Sequence, residues 1–190
     1  MRAGVLALQG DVREHATILE ELGAEVVRVR SAPDLEEIDA LVIPGGESTT
    51  IGKLADRYGL VEPLRKAISD GMPTLGTCAG MIFLAGATTE SRSQVQLGVL
   101  DVVVRRNAFG RQADSGEREV DVAGLDAPVN GVFIRAPWIE KVGEGVEILA
   151  ELDGHPVMVR EGNVIAASFH PELAGDTRLH RMLLEMVEES

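Results

Sequence analysis

Residues 74–84 of the chain read Thr74-Leu75-Gly76-Thr77-Cys78-Ala79-Gly80-Met81-Ile82-Phe83-Leu84. Its first four residues predict a very short strand, and the residues from Ala79 onward predict a buried helix. Cys78 stands between them, flanked by glycines in a glycine-x-cysteine-x-glycine pattern. A nucleophile on such a sharp strand-to-helix turn is exposed at the carboxyl end of its strand. The helix N-terminus favours the thiolate over the thiol. We therefore interpret Cys78 as a nucleophile and not as a buried apolar residue.

The chain before this stretch alternates between short apolar segments and segments with helical spacing. The predicted strands are 3–8, 25–30 and 40–43, and the predicted helices are 12–22 and 48–69 with a break near Gly59. Strands that are apolar on both faces are typical of parallel sheets covered by helices. The first half therefore predicts an open, mostly parallel α/β sheet.

The second half contains more strands, joined by short glycine-containing turns. Strand-like segments lie at 101–104, 118–122, 132–134, 146–152, 157–160 and 164–169. The turns Asp153-Gly154 and Glu161-Gly162-Asn163 indicate antiparallel hairpins. A final amphipathic helix runs from Leu179 to Val187, with Asp176 as its cap. The predicted fold class is α/β, a single flavodoxin-like domain over residues 1–190 with an open, mixed, mostly parallel sheet flanked by helices.

The charge of the chain excludes several kinds of partner. It has 31 acidic and 18 basic residues and a formal net charge of −13. This charge repels phosphate backbones, so nucleic acid and anionic membranes are not expected partners. No apolar run approaches the roughly 20 residues that span a bilayer, and the N-terminus lacks a signal-peptide pattern. One cysteine and four scattered histidines give no disulfide and no zinc spacing. We expect a cytoplasmic protein with no metal and no cofactor.

A thiol nucleophile needs a base, and one of the four histidines is well placed. His15 and His180 fall within predicted helices, where a solvated or capping role is ordinary, and His155 falls in a predicted turn. His170 follows the strand at 164–169, at the carboxyl edge where open α/β sheets gather their sites. The carboxylate of Glu172, two residues on, is near enough to orient the imidazole. The sequence predicts a catalytic set of Cys78, His170 and Glu172.

Two further features are candidates for binding an oxyanion or a carboxylate. The third strand runs into Gly45-Gly46, whose backbone N–H groups could join that of Ala79 in holding an oxyanion. A plain strand-to-helix connection with Ser48 as its N-cap explains the same residues. Arg106 and Arg135 each follow an apolar strand, and arginine there can clamp a carboxylate with two parallel hydrogen bonds. Surface ion pairing is the commoner role of arginine.

Taken together, six segments closely resemble the glutaminase subunits of pyridoxal 5′-phosphate synthase, which are class I, triad-type glutamine amidotransferases. The segments are Leu8–Gly10 with Arg13–His15, Pro44–Thr50, Gly76–Gly80, Arg106–Gln112, Phe133–Pro137 and His170–Glu172. The cysteine elbow and His-Pro-Glu belong to the wider class. The segments 106–112 and 133–137 are more specific to this subunit.

The resemblance implies a role for each matching residue. Cys78 is the implied nucleophile, His170 the implied base and then acid, and Glu172 the implied orienting carboxylate. The implied oxyanion donors are the N–H groups of Gly46 and Ala79. The residues implied to hold L-glutamine are Gly46, Glu47, Ser48, Arg106, Ile134 and Arg135. Catalysis is expected to fail when His170 is protonated before the substrate arrives.

The resemblance also implies a reaction and a partner. Glutamine is hydrolysed to glutamate and ammonia through a γ-glutamyl thioester, and the ammonia passes to a (β/α)8-barrel synthase subunit in a hetero-oligomer. That barrel, and not this chain, forms pyridoxal 5′-phosphate. Two alternatives remain open at this point. One is a glutaminase of the same class that serves an imidazole or aminobenzoate pathway, and the other is a non-catalytic flavodoxin-like module in which Cys78 is structural.

Overall fold

A seven-stranded sheet forms the centre of the computed structural model, which describes residues 1–90, 94–109 and 116–189. The strands of this sheet are β1 (Arg2–Leu6), β2 (Glu25–Val29), β3 (Ala40–Ile43), β4 (Thr74–Thr77), β10 (Glu147–Leu152), β11 (His155–Glu161) and β12 (Val164–Ala167). Their order across the sheet is β10-β11-β12-β4-β3-β1-β2. The five strands from β12 to β2 run parallel, and β10 and β11 join them as antiparallel hairpins.

Two smaller sheets stand beside the central one. Their strands are β5 (Ala85–Thr88), β6 (Leu100–Arg105), β7 (Gly116–Val120), β8 (Val129–Phe133) and β9 (Trp138–Val142). The first small sheet has the order β5-β6-β9, with β5 parallel and β9 antiparallel to β6, and the second is the antiparallel pair β7-β8. The ends of β6 and β8 carry the segments that begin with Arg106 and Ile134.

Helices cover both faces of the central sheet, and each face has its own apolar core. The helices are α1 (Val12–Glu21), α2 (Ser48–Arg57), α3 (Val61–Ser69), α4 (Ala79–Leu84) and α5 (Arg178–Glu188), with short 3-10 helices at Ala32–Glu37 and Glu172–Ala174. Residues of α2, α3 and α4 pack in one core, and residues of α1 and α5 pack in the other. The strands β3, β4 and β12 are buried along their whole length, which explains the continuous apolar character of β3 and β12. Among the helices in the described ranges, none is long and apolar enough to cross a membrane.

The structure confirms the predicted α/β class and the mostly parallel sheet flanked by helices. Both predicted hairpins are present as antiparallel pairs. Two strands were not predicted, β5 and β9. The segment of β5 continues the apolar run of α4 without a turn signal. The segment of β9 has a single fully buried residue, Ile139. Neither segment therefore shows the alternation of apolar and polar residues that predicts a strand.

Three local predictions were wrong. The helix α5 takes Thr177 and not Asp176 as its N-cap, although an Asp176 carboxylate oxygen still accepts the Arg178 N–H at 3.0 Å. The strand β12 ends at Ala167, so His170 lies three residues beyond it. His155 is the first residue of β11 and not part of the turn.

Candidate functional site

Cys78 occupies the sharp turn between β4 and α4 that the glycine pattern predicts. Its backbone has φ of 48° and ψ of −101°, in a region that residues with a side chain rarely adopt. The flanking Gly80 is required by close packing, since a Cβ atom there would lie 2.1 Å from the carbonyl oxygen of Ile43. The turn is held to the sheet because the Cys78 N–H donates to the Ala167 carbonyl at 2.8 Å. The elbow is therefore a fixed feature of the sheet edge.

His170 is positioned by β8 and by Glu172. Its N–H donates to the carbonyl of Val132 at 2.9 Å, in an isolated antiparallel bridge. Its Nδ1 lies 2.8 Å from Oε1 of Glu172, whose side chain is completely buried. The other ring nitrogen remains for Cys78, with which the imidazole also interacts. The predicted set of three residues is thus brought together, in the order sulfur, imidazole, carboxylate.

The imidazole of His170 has a second carboxylate beside it. Oδ2 of Asp11, the N-cap of α1, lies 3.3 Å from Nδ1 of His170. Burial opposes the charged form of His170, but the contacts with Asp11, Cys78 and Glu172 outweigh burial and raise its pKa far above 6.5. Burial likewise opposes the charge of Glu172, while His15 and His170 lower its pKa well below 4.5.

These shifts correct the expectation that protonation of His170 stops catalysis. At neutral pH the raised pKa keeps His170 protonated before any substrate arrives. His170 is therefore already protonated in the resting site and can act as the acid without first taking up a proton.

The loop after β3 lies directly against the triad. A Cβ atom on Gly45 would lie 2.2 Å from Cε1 of His170, so this glycine lets the loop approach the imidazole. The Gly46–Glu47 peptide is held by the loop between β1 and α1, because Oε1 of Gln9 accepts the Glu47 N–H at 2.7 Å. Gly46 has φ of +150°. The two-glycine loop and the elbow face the same cleft.

Glu47 is the N-cap of α2, in place of Ser48. Its carboxylate accepts the backbone N–H groups of Thr49 and Thr50, at 3.0 and 2.8 Å, and the Thr50 hydroxyl at 2.6 Å. Partial burial opposes its charge, but these hydrogen bonds lower the pKa of Glu47 to about 2. Ser48 is the first helical residue, and its buried hydroxyl has no partner among the described residues.

Arg106 extends from the end of β6 toward Glu47. One guanidinium nitrogen lies 3.6 Å from Glu47 Oε1, and another donates to Oε1 of Gln94 at 3.1 Å. Arg135 follows β8 in a backbone conformation with φ of 46°. Two arginines and one ionised glutamate therefore lie around a single cleft. Such a set complements the carboxylate and ammonium groups of an amino acid.

The cleft has a volume of about 200 Å³. Eight of the predicted site residues line it: Gly46, Glu47, Ser48, Cys78, Ala79, Arg106, Ile134 and Arg135. Ile82, Asn107 and Pro137 also line it and were not predicted. His170 and Glu172 lie behind Cys78. A larger groove of about 650 Å³ lies between the 3-10 helix at Ala32–Glu37 and α3, and it contains none of the predicted residues.

Four polar residues around the triad were missed or misread from the sequence. Asp11 and Gln9 lie before α1 with no motif that assigns them a role. His15 and His180 were expected to be solvated or capping, and this was wrong, since both are completely buried. Their helices lie on the same face of the sheet, which a spacing pattern within either helix does not reveal.

The ligand atoms of Asp11, His170 and Glu172 all lie within 4.8 Å of one another. A metal ion there would need the lone pair of His170 Nδ1. The 2.8 Å contact with Glu172 uses that nitrogen as a proton donor, because the raised pKa keeps the ring protonated. The group is suited to holding a proton, and the absence of a bound metal stays a prediction. Of the segment Arg106–Gln112, residues 110–112 lie outside the described part of the chain.

Curated relatives match this chain over nearly its whole length. A protein of Frankia alni named pyridoxal 5′-phosphate synthase subunit PdxT is 56% identical, over 100% of this chain and 96% of its own. A protein of Streptomyces coelicolor with the same name is 58% identical, over 97% of this chain and 92% of its own.

Solved structures match the fold as well. One described as a glutamine amidotransferase superimposes with a TM-score of 0.93 at 53% identity, over 98% of both chains. Another glutamine amidotransferase, from Thermotoga maritima, has a TM-score of 0.62 at 15% identity and shares the fold alone. The model of the SNO glutamine amidotransferase family matches residues 5–189. The chain therefore belongs to the SNO glutamine amidotransferase family.

Proposed function

We propose that this glutamine amidotransferase is the glutaminase subunit of a pyridoxal 5′-phosphate synthase and releases ammonia from L-glutamine at Cys78. The observation that carries the proposal is the placement of Cys78 at the wall of the cleft, with the His170 and Glu172 pair behind it and Arg106 and Arg135 around it. The names of the relatives at 56–58% identity support the assignment to pyridoxal 5′-phosphate synthesis.

Different residues of the cleft would bind different groups of the substrate. Arg106 and Arg135 would bind the α-carboxylate, and Glu47, which its hydrogen bonds keep ionised, would attract the α-ammonium group. Gly46, Ser48 and Ile134 would line the chain between. The side-chain amide would then lie at Cys78.

The first half of the reaction breaks the amide bond. The Cys78 thiolate attacks the side-chain amide carbon, and a C–S bond forms while the carbonyl oxygen becomes an oxyanion. The N–H groups of Gly46 and Ala79 would hold that oxyanion. His170 gives its proton to the departing nitrogen, the C–N bond breaks, and ammonia leaves a γ-glutamyl thioester.

The second half restores the enzyme. His170, now neutral, takes a proton from water, whose oxygen attacks the thioester carbon. The C–S bond breaks, glutamate leaves, and Cys78 and His170 return to their starting states. Glu172 and Asp11 stabilise the imidazolium at the start and end of the cycle. No metal or cofactor is required by these steps.

Free ammonia is protonated in bulk water and then is no longer a nucleophile. A glutaminase that supplies ammonia therefore has to be docked against its acceptor enzyme. We propose a (β/α)8-barrel synthase as that partner, in a hetero-oligomer. The cytoplasmic location stays a prediction.

The test uses L-glutamine labelled with ¹⁵N in its side-chain amide. The chain is incubated with a pyridoxal-phosphate-forming synthase, and in parallel with synthases of an imidazole and an aminobenzoate pathway. We expect faster glutamate release with the first synthase only, and ¹⁵N in the pyridoxal 5′-phosphate formed. Stimulation by one of the other synthases, with none by the first, would overturn the assigned pathway.

A further inference from the structure

Two buried histidines from opposite ends of the chain stand behind the triad, and one of them contacts Glu172. His15 lies on α1 and His180 on α5, and both are completely buried. Nε2 of His15 lies 3.3 Å from Oε1 of Glu172, the same oxygen that His170 Nδ1 approaches at 2.8 Å. Nδ1 of His15 lies 2.7 Å from Nε2 of His180. A continuous line of polar contacts therefore runs from Cys78 through His170, Glu172 and His15 to His180.

The positions of the protons in this line follow from which atoms have partners. Nε2 of His15 faces the Glu172 carboxylate, which can only accept, and Oγ1 of Thr77 at 3.2 Å, which can accept as well as donate. A bare nitrogen there would point its lone pair at a carboxylate. A proton on Nε2 of His15 removes that repulsion and leaves its Nδ1 as an acceptor for the N–H of His180.

His180 supports the same assignment. Its Nδ1 has no hydrogen-bond partner within the part of the chain that is described. With the proton on Nε2, the unpartnered atom is a lone pair, whereas the opposite tautomer would bury an N–H with no acceptor. Burial lowers the pKa of His180 to about 3, so the ring is neutral near pH 7.

The carboxylate of Glu172 needs this support. Its Oε2 has no partner among the described residues, so Oε1 alone receives its hydrogen bonds. Without His15, the contact with His170 would be the one remaining polar contact to Oε1 among those the structure shows, and the carboxylate could turn about its last side-chain bond. A displacement near 1 Å in a catalytic group costs about 10²-fold in rate.

We propose that His15 is a positioning residue of the glutaminase, which holds Glu172 through an Nε2–H proton, and that His180 fixes this tautomer of His15. The inference rests on the proposed function for its kinetic consequence. His15 does not touch the substrate cleft, and it acts on Cys78 only through Glu172 and His170. Removing it should therefore lower kcat and leave the KM for glutamine unchanged.

The kinetic test compares His15→Ala and His15→Gln, with the synthase partner present. We expect His15→Ala to lower kcat about tenfold or more with KM within twofold of wild type. His15→Gln should recover a large part of the loss, because its amide nitrogen can donate to Glu172. The matched control is His155→Ala. The His155 ring stacks on the Trp138 ring, with 3.7 Å between the ring centroids, and has no part in the triad. The kinetics of this variant should equal those of wild type. Unchanged kcat in His15→Ala, or a loss carried by KM, would overturn the proposal.

A spectroscopic test needs no substituted protein and no activity. In wild type labelled with ¹⁵N-histidine, we expect His15 to show a protonated Nε2 and a bare Nδ1 near pH 7, and His180 the same tautomer. The opposite tautomer of His15 would overturn the proposal even if His15→Ala fails to fold. If the predicted tautomers are found and wild type releases no glutamate with any synthase, the proposed function fails while the positioning network stands.

Discussion

Gly45 approaches His170 so closely that a Cβ atom on Gly45 would lie 2.2 Å from Cε1 and 2.6 Å from Nδ1 of the imidazole. The loop after β3 therefore sets the position of the base as well as one side of the cleft. Either the loop or the imidazole has to move when a methyl group is added. Both movements separate the proposed oxyanion donor at Gly46 from the triad.

Gly45→Ala is expected to lower glutamine hydrolysis by about 10²-fold, because a shift near 1 Å in a catalytic group costs about that much. The measurement is steady-state glutamate release with the synthase partner. Gly116→Ala is the control, since a Cβ atom there meets nothing within 4 Å. Equal rates for the two variants would show that the contact between loop and imidazole is unimportant.

Arg106 should act on substrate binding more than on chemistry. Arg106→Lys keeps the positive charge but loses the paired hydrogen bonds to a carboxylate. We expect the KM for glutamine to rise about tenfold, with a smaller change in kcat. Arg105→Ala serves as the control, because Arg105 pairs with Glu140 at 3.2 Å and lies over Trp138. A loss confined to kcat would contradict the assignment of Arg106 to the α-carboxylate.

Asp11 should help to keep His170 protonated. Its carboxylate lies 3.3 Å from His170 Nδ1, so Asp11→Asn removes a negative charge from beside the imidazolium. We expect the pKa of His170 to fall toward 6.5 in an NMR titration of the imidazole. Glu20→Gln removes a charge from the exposed side of α1 and should leave the titration unchanged. A pKa of His170 that is the same in Asp11→Asn and wild type would exclude this role.

The sequence predicts the elbow well because the whole glycine-x-cysteine-x-glycine pattern lies between Gly76 and Gly80. The packed structure then holds the turn, through the close approach of Gly80 to Ile43 and the hydrogen bond from Cys78 to Ala167. The contact between His15 and His180 forms instead because two helices pack on one face of the sheet, although these histidines are 165 residues apart in the chain. A histidine at one position of a helix carries no sign of that partner, so His15 and His180 could not be distinguished from surface residues.

The same distinction explains the cleft. Arg106 and Arg135 were candidates because each follows an apolar strand, and the resemblance to the glutaminase subunits gave them their role. Asn107 and Ile82 line the cleft without a chemical type that marks them as binding residues. Gln9 contacts Glu47 through a loop-to-loop approach that only the packed structure reveals.

The buried charge of Glu172 should make the free energy of unfolding depend on pH in the acid range. Its pKa in the folded state lies well below 4.5, so its ionised form stabilises the fold above pH 4.5. That contribution is lost as the pH falls from 4.5 toward the folded-state pKa. We expect Glu172→Gln to lower the free energy of unfolding by about 1.5–3 kcal/mol at pH 7. The difference from wild type should shrink below pH 4.5 in urea titrations, and a difference that is constant or grows in acid would contradict the lowered pKa.

The most direct test of the central claim is glutamate release by Cys78→Ala in the presence of the pyridoxal-phosphate-forming synthase. Alanine keeps the small side chain at the elbow, so the variant should fold and bind the synthase with nearly wild-type affinity. We expect binding to remain while glutamate release and ¹⁵N transfer from glutamine are abolished. Glutamate release equal to that of wild type would show instead that Cys78 is structural and that the chain is a non-catalytic module at this site.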